Sequence, residues 1–260
     1  MDKFFTQMSE AFSNPALWEE FRTGIWDTLY STVVATAAAC VLGLILGVLL
    51  VAGERDGVRP LPAPVMKVLN FVINILRSVP FLILMLMVLP LSKLLVGTKI
   101  GTIASIPPLV IAAAPFVARL VEASLREVDK GVIEAAQAMG CSPFQIIWKV
   151  ILPESLPSLV AGFTTAFITI LSYGAMAGAI GGGGLGSMAL MLGYQRRMYI
   201  VMYVSVLVLV ILVQIFQTVG THMAVRLDRR ITDKEEGRRR RKDAKAKVKK
   251  GRRFPYVHNP

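Results

Sequence analysis

The amino-acid sequence predicts an all-α integral membrane protein with five transmembrane helices, on three observations. The 260 residues are 54% hydrophobic and 18% charged, with a mean hydropathy of +0.59. An ordinary soluble domain is about 45–50% apolar and about 25% charged, so a soluble chain of this composition could not keep its surface wet. Uncharged runs long enough to cross a bilayer recur along the chain. The formal charge of +12 is gathered at one end: residues 223–260 hold 15 Lys and Arg against 5 Asp and Glu, whereas the preceding 222 hold 14 against 12.

A helix needs roughly 20 apolar residues to cross a ~30 Å hydrocarbon core. Between Asp27 and Glu54 lie 26 uncharged residues, between Lys99 and Arg119 19, between Glu154 and Arg196 41, and between Arg197 and Arg226 28. Lys67 to Lys93 is interrupted only by Arg77. The 41-residue run reads as a helix followed by a loop, because Ile180-Gly-Gly-Gly-Gly-Leu-Gly186 is too rich in glycine for a stable lipid-facing span. The expected spans are therefore about 28–52, 70–91, 100–120, 157–179 and 199–222.

Five spans put the two ends on opposite sides. The loops at 52–68 and 119–155, together with the tail, carry 22 Lys and Arg, against 6 on the other side (Lys3, Arg22, Lys93, Lys99, Arg196, Arg197). Basic residues accumulate in the cytoplasm, so the N-terminus is expected outside and the C-terminus inside. The chain then divides into an external N-terminal segment 1–24, a transmembrane domain 25–230 with a cytoplasmic loop at 130–153, and a disordered basic cytoplasmic tail 231–260. The first segment carries Asp2, Glu10, Glu19 and Glu20 and no compact apolar core, unlike a secretory signal. Phe4, Phe5, Met8, Ala11 and Phe12 have helical spacing; an interfacial helix and a frayed end both fit.

The first span spaces Ala35, Ala39, Gly43 and Gly47 four apart, which lets another helix backbone approach closely. In the second, Asn70, Asn74 and Arg77 form one polar stripe near the cytoplasmic end, and Pro80 predicts a kink. The stripe faces the bundle interior or a cytoplasmic partner, or Arg77 snorkels to the interface. In the fourth, Ser172, Tyr173 and Met176, with Thr164, Thr165 and Thr169, either line and gate a neutral pathway or bond helix to helix.

The loop between spans three and four has its own architecture. Glu134 to Met139 are helix formers, and Gly140 suits the left-handed residue that ends a helix. Ser142, Pro143 and Gln145 make a capping box with proline at the first helical position. Phe144, Ile147, Trp148 and Ile151 are expected on one face, and Leu152-Pro153 closes the unit. Two short helices meeting at a glycine corner give a stiff, apolar-faced elbow suited to pushing on a soluble partner. A DNA-reading helix-turn-helix is excluded, since its second helix would offer only Lys149 as a cation. No nucleic-acid partner is expected.

Several chemistries are excluded. Two cysteines (Cys40, Cys141) and two histidines (His222, His258) leave no disulfide scaffold and no zinc cluster, so no metal site is expected. The glycine run lacks the Gly-Lys-Ser/Thr ending of a phosphate-binding loop, so no nucleotide site is expected. No Asp or Glu lies within the five spans, which argues against a self-contained secondary transporter using a carboxylate relay.

Glu134-Ala135-Ala136, three residues, Gly140, nine residues, Val150, one residue, then Leu152-Pro153 resembles the cytoplasmic loop signature of ABC importer permeases, with valine where isoleucine is usual. Arg77-Ser-Val-Pro-Phe81, Ala114-Pro-Phe-Val-Ala-Arg119, Tyr173 to Gly181, Gly183-Gly-Leu-Gly186 and Gly193-Tyr-Gln-Arg196 are similar to the bacterial methionine-uptake branch. The resemblance covers about residues 21–230. It implies a type I-like permease of five helices per subunit in the bacterial inner membrane. It also implies a homodimer working with two ATPase subunits that use ATP and Mg, and with an external substrate-binding (lipo)protein. No cofactor would bind this chain. The elbow would be the coupling helix seated in the ATPase, with Glu134 as polar anchor and Gly140 as corner; Ala135 and Ala136 belong to the same motif. Met139, Cys141 and Phe144 are the candidate groove contacts. The implied solute is D- or L-methionine or a close analogue, and another small amino acid stays open. The tail could fix topology, adhere to anionic lipid, or touch the ATPase or RNA.

Overall fold

The computed structural model describes residues 15–228, and every regular element among them is helical. The N-terminal apolar residues 4–12 and the tail 231–260 lie outside the described residues. The long helices are α1 (Pro15–Ala52), α2 (Ala63–Ser78), α3 (Phe81–Val96) and α4 (Thr102–Arg126). The elbow follows as α5 (Lys130–Ala138) and α6 (Pro143–Ile146), then a wide π-turn (Ile147–Ile151) and α7 (Leu152–Glu154). α8 (Leu156–Ala177) ends in a 3-10 turn (Gly178–Ile180). The short α9 (Gly184–Ser187) widens into a π segment (Met188–Gln195) before α10 (Tyr199–Leu227).

Four helices, α1, α4, α8 with its 3-10 extension, and α10, are each long and apolar enough to cross a membrane. The second expected span differs. α2 and α3 qualify only as a pair, bent by 110°. Each has 16 residues, about 24 Å at 1.5 Å per residue, short of a ~30 Å core. The kink expected at Pro80 is a full break. Val79 (φ −78, ψ 127) and Pro80 (φ −57, ψ 134) are both extended. Proline has no N–H to continue the helix and holds its predecessor out of the α region. α1 also begins earlier than the expected span, running unbroken from Pro15 across the boundary drawn at residues 24 and 25.

The core is the seam between α1 and α4, the most extensive helix pair. Ala35, Ala39, Gly43 and Gly47 are all buried there, as their spacing predicts. A Cβ on Gly43 would lie 2.5 Å from Val117 Cγ1, and one on Gly47 2.6 Å from Val121 Cβ. The seam continues through Leu109 and Ala113 to Leu159, Ala166 and Ile170 of α8. α10 packs on α8 where Gly220 meets Thr164 and the rings of Phe167 and Phe216 stand 4.2 Å apart.

The stretch expected as a loop after span four is a tight turn and then a short helix. Gly181, Gly183 and Gly184 have φ of +81, +72 and +73 and make the corner, while Gly178 and Gly186 let the two arms close up, since a Cβ on either would lie 2.2 Å from backbone of the other arm. Beyond the corner, Leu185, Met188 and Ala189 are ordinary helix formers, and they are buried. Leu185 and Met188 pack against Leu17 and Phe21 of α1 and Ile200 and Val201 of α10. Thr28 Oγ1 accepts from the Leu185 N–H at 2.9 Å and donates to the Gly24 carbonyl at 2.8 Å.

Gly43→Leu should overpack the α1–α4 seam and cost about 1–3 kcal/mol, read as a lower melting temperature of the detergent-solubilised protein. Gly174→Ala, where a Cβ meets nothing within 4 Å, should be neutral or stabilising by up to about 1 kcal/mol. Equal melting of the two variants would refute the seam.

Candidate functional site: an exposed elbow continuous with a long helix

Each bend of the elbow has a local cause. Asp129 caps α5 by accepting from the Gly131 N–H at 2.7 Å. At its other end the Cys141 N–H donates to the Ala136 carbonyl (3.1 Å) and the Gly140 N–H to that of Gln137 (2.9 Å), around a left-handed Gly140 (φ +79). Ser142 Oγ then accepts from the Gln145 N–H (3.4 Å), and the Ser142 N–H donates to Gln145 Oε1 (2.8 Å). The capping box and the glycine corner are where the sequence puts them.

The apolar face is arranged differently. Ile146 and Ile151 are buried, with Ile147 and Val150 half-buried beside them, packed on the core with Ala136 and Cys141. Phe144 is 69% exposed and Trp148 59%, their ring centroids 6.2 Å apart on the other side; Met139 is 77% exposed. The expected face of Phe144, Ile147, Trp148 and Ile151 is thus split. From Ile147 the π-turn advances each residue by less than the 100° of an α-helix, swinging Ile151 inward. Pro153 accounts for the widening, because its ring crowds the Lys149 carbonyl and it has no N–H to offer. Of the candidate groove contacts, Met139 and Phe144 point outward with Glu134 and Ala135, while Cys141 and Ala136 turn toward the core. A Cβ at the exposed Gly140 would meet nothing within 4 Å.

Leu152-Pro153 does not close the unit. Helical turns continue through α7 and Ser155, whose N–H donates to the Ile151 carbonyl (3.0 Å) while its own carbonyl accepts from Leu159 (2.9 Å). The second arm of the elbow therefore runs directly into α8.

Along α8, Thr165, Thr169, Ser172 and Met176 are spaced by four, three and four, on one side. Their hydroxyls bond back into the helix: Thr165 to the Ala161 carbonyl (3.0 Å), Thr169 to that of Thr165 (2.9 Å), Ser172 to that of Ile168 (3.1 Å). Ser172 and Met176 are exposed. Tyr173 is half-buried and stacks on Phe81 of α3, centroids 4.4 Å apart and planes 6° from parallel. Thr164 serves packing against Gly220 instead.

The expected stripe of Asn70, Asn74 and Arg77 is also divided. Arg119 Nη2 donates to Oδ1 of Asn70 (2.8 Å) and of Asn74 (2.9 Å), whereas Arg77 is exposed and takes no part. Arg119 Nη1 donates to Glu122 at 2.6 Å, Glu122 accepts from Arg126 at 2.8 Å, and Arg126 grips Glu54 with both terminal nitrogens. By sequence Arg119 and Arg126 count only among the basic residues of the 119–155 loop, and Glu54 only marks the end of an uncharged run. The signal that could have found them is the spacing of Arg119, Glu122 and Arg126 at i, i+3 and i+7, one charged face at the end of α4. Among the described residues, no three His, Cys, Asp or Glu side chains are placed to hold a metal ion.

A bundle of apolar helices, with an ordered elbow packed on it and presenting an exposed aromatic face, defines a multi-span membrane protein. Residues 57–233 match the family described as binding-protein-dependent transport system inner membrane component, and this chain belongs to it. It is 48% identical over 208 residues to the probable D-methionine transport system permease protein MetI of Vibrio cholerae serotype O1, covering 80% of this chain and 92% of that one. It is 49% identical over 164 residues to the methionine import system permease protein MetP of Bacillus subtilis, covering 63% and 74%. A solved inward-facing conformation of the MetNI methionine ABC transporter superposes with a TM-score of 0.80 at 40% identity, covering 83% of this chain and all of that one.

Ile146→Ala should cost about 2–5 kcal/mol of stability by opening a cavity in the core, whereas Phe144→Ala and Trp148→Ala should leave the isolated chain within about 0.5 kcal/mol of the parent. Thermal unfolding of the three variants checks the split face, and a loss at Phe144 matching that at Ile146 would refute it.

Proposed function

We propose that this chain is the permease subunit of an ATP-driven importer of methionine, in either enantiomer or as a close analogue. It works as a homodimer with two separate ATPase subunits and an external binding protein. The observation that carries the reading is the exposed Gly140 corner, flanked by Met139, Phe144 and Trp148 and continuous with α8. The sequence identity to methionine permeases over most of the chain supports the solute. In this reading the elbow lies in the cytoplasm and the N-terminus outside, following the distribution of basic residues.

The mechanism follows from the connections. ATP with Mg is handled by the partner, which closes and draws the two elbows together. Met139, Phe144 and Trp148 offer apolar surface to a groove, with Glu134 and Ala135 exposed beside them. Because the second arm passes into α8 without a loop, the displacement reaches Ser172, Tyr173 and Met176 as a rigid-body movement. That face carries hydroxyls already bonded to their own helix and no fixed charge. It holds a zwitterionic amino acid weakly, so a solute handed over by the binding protein passes through rather than lodging.

Reconstituted in proteoliposomes with ATPase and methionine-binding protein, the chain should support saturable, ATP-dependent methionine uptake. Uptake without the ATPase would overturn the reading. Gly140→Trp should insert into the membrane normally, since the corner is open. It should still uncouple hydrolysis from uptake, because tryptophan strains the left-handed corner by about 1–2 kcal/mol and blocks the docking surface. Deleting 232–260 should leave uptake within about twofold of the parent, a change of no more than ~0.4 kcal/mol.

A further inference from the structure

α2 is loosely seated. Ile73 is its buried residue, packed beside Leu50 and Ala118, while Val65, Val68, Phe71, Val72 and Ile75 are exposed. Its polar side is fastened to α4 by the fork of Arg119, which reaches Asn70 and Asn74 at 2.8 and 2.9 Å with a single nitrogen. The other terminal nitrogen is held by Glu122, which is held in turn by Arg126, itself anchored on Glu54 just past the end of α1. The Arg119 and Glu122 side chains are only 21% and 13% exposed. The aim of the guanidinium is therefore set by Glu122, which Arg126 holds in turn, before it meets α2.

The connection from α2 to α3 has little slack. The proline ring locks φ at Pro80, and the residue before a proline is confined to extended conformations. The two helices form a bracket bent by 110°. Phe81, its first residue beyond the proline break, is the ring stacked on Tyr173. From Asn74 to the end of α2 at Ser78 is four residues, about 6 Å of helix, and Phe81 follows three residues later across the break, so the fork grips the bracket close to the aromatic pair.

We propose that Arg119 is a positioning residue for transport: by holding Asn70 and Asn74 it seats the α2–α3 bracket and so places Phe81 against Tyr173 on the pathway face of α8. Its meaning for transport rests on the permease reading above, whereas the geometric link does not. The role needs a fork rather than a charge. Lysine can keep the pair with Glu122, but as a compact ammonium it cannot reproduce the planar, two-armed grip.

The test uses the complex assembled with its ATPase subunits, with 4-fluorophenylalanine at position 81 and its fluorine resonance as readout. Tyr173→Leu gives the line position of the unstacked ring. Arg119→Lys should shift the line toward that position. It should also lower methionine uptake per ATP hydrolysed by about 2- to 30-fold, the range for coupling through packed networks. The double variant Asn70→Ala with Asn74→Ala leaves the Arg119–Glu122 pair in place and should do the same. An unmoved fluorine line in both variants overturns the inference, as does a moved line with undiminished uptake per ATP. If the parent complex imports no methionine while the line still answers to Arg119→Lys, the substrate assignment falls and the link between Arg119 and the aromatic pair stands.

Discussion

The close approach of α1 and α4 is the constraint on which the rest of the architecture depends. A lipid environment gives apolar helices no hydrophobic reason to prefer one another over acyl chains, so association comes from van der Waals fit. Here the fit is made by what is missing. Gly43 and Gly47 leave space that Val117 and Val121 fill. With the backbones that near, α4 becomes the central post of the bundle, bearing α1 on one side and α8 on another. Three prolines, Pro107, Pro108 and Pro115, lie within α4 and leave it one continuous helix of 25 residues. Its end supplies Glu122 and Arg126, and the chain then turns into the elbow.

From that post, two routes lead to the same stretch of α8. One is covalent: α5, the glycine corner and the second arm run into α8 without a loop. The other is lateral, through the charged end of α4 to α2, across the proline break and onto Tyr173 through Phe81. Both routes are fastened to α4, and they meet at the stacked rings of Phe81 and Tyr173.

What was legible in the sequence were features with local causes. Uncharged length marks the spans, four-residue spacing of small side chains marks the seam, and the capping box and left-handed glycine mark the elbow, since each depends on residues within one or two turns. Features that depend on partners distant in the chain were not legible. Nothing near Asn70 or Asn74 announces Arg119, which lies 49 and 45 residues away. A polar stripe can be read from spacing, but which of its members finds a partner cannot, and Arg77 was grouped with the asparagines on spacing alone. The glycine-rich stretch reads as loop because composition averages over a window, whereas three of its glycines make a corner, Gly178 and Gly186 serve a close backbone approach, and helix formers follow. The face of the elbow was misassigned because α-helical periodicity does not hold through Ile147–Ile151.

That wide turn accommodates one residue more than an α-helix would use over the same path. Excising a single residue from it would restore α-helical winding over the same path and leave both ends of the arm in place, so Phe144 and the start of α8 would keep their aim. The same excision within α6 or α8 would rotate everything beyond it by about 100° about the helix axis. The wide turn is therefore the one stretch of this arm where a one-residue change in length is absorbed locally, without re-aiming the exposed aromatic surface.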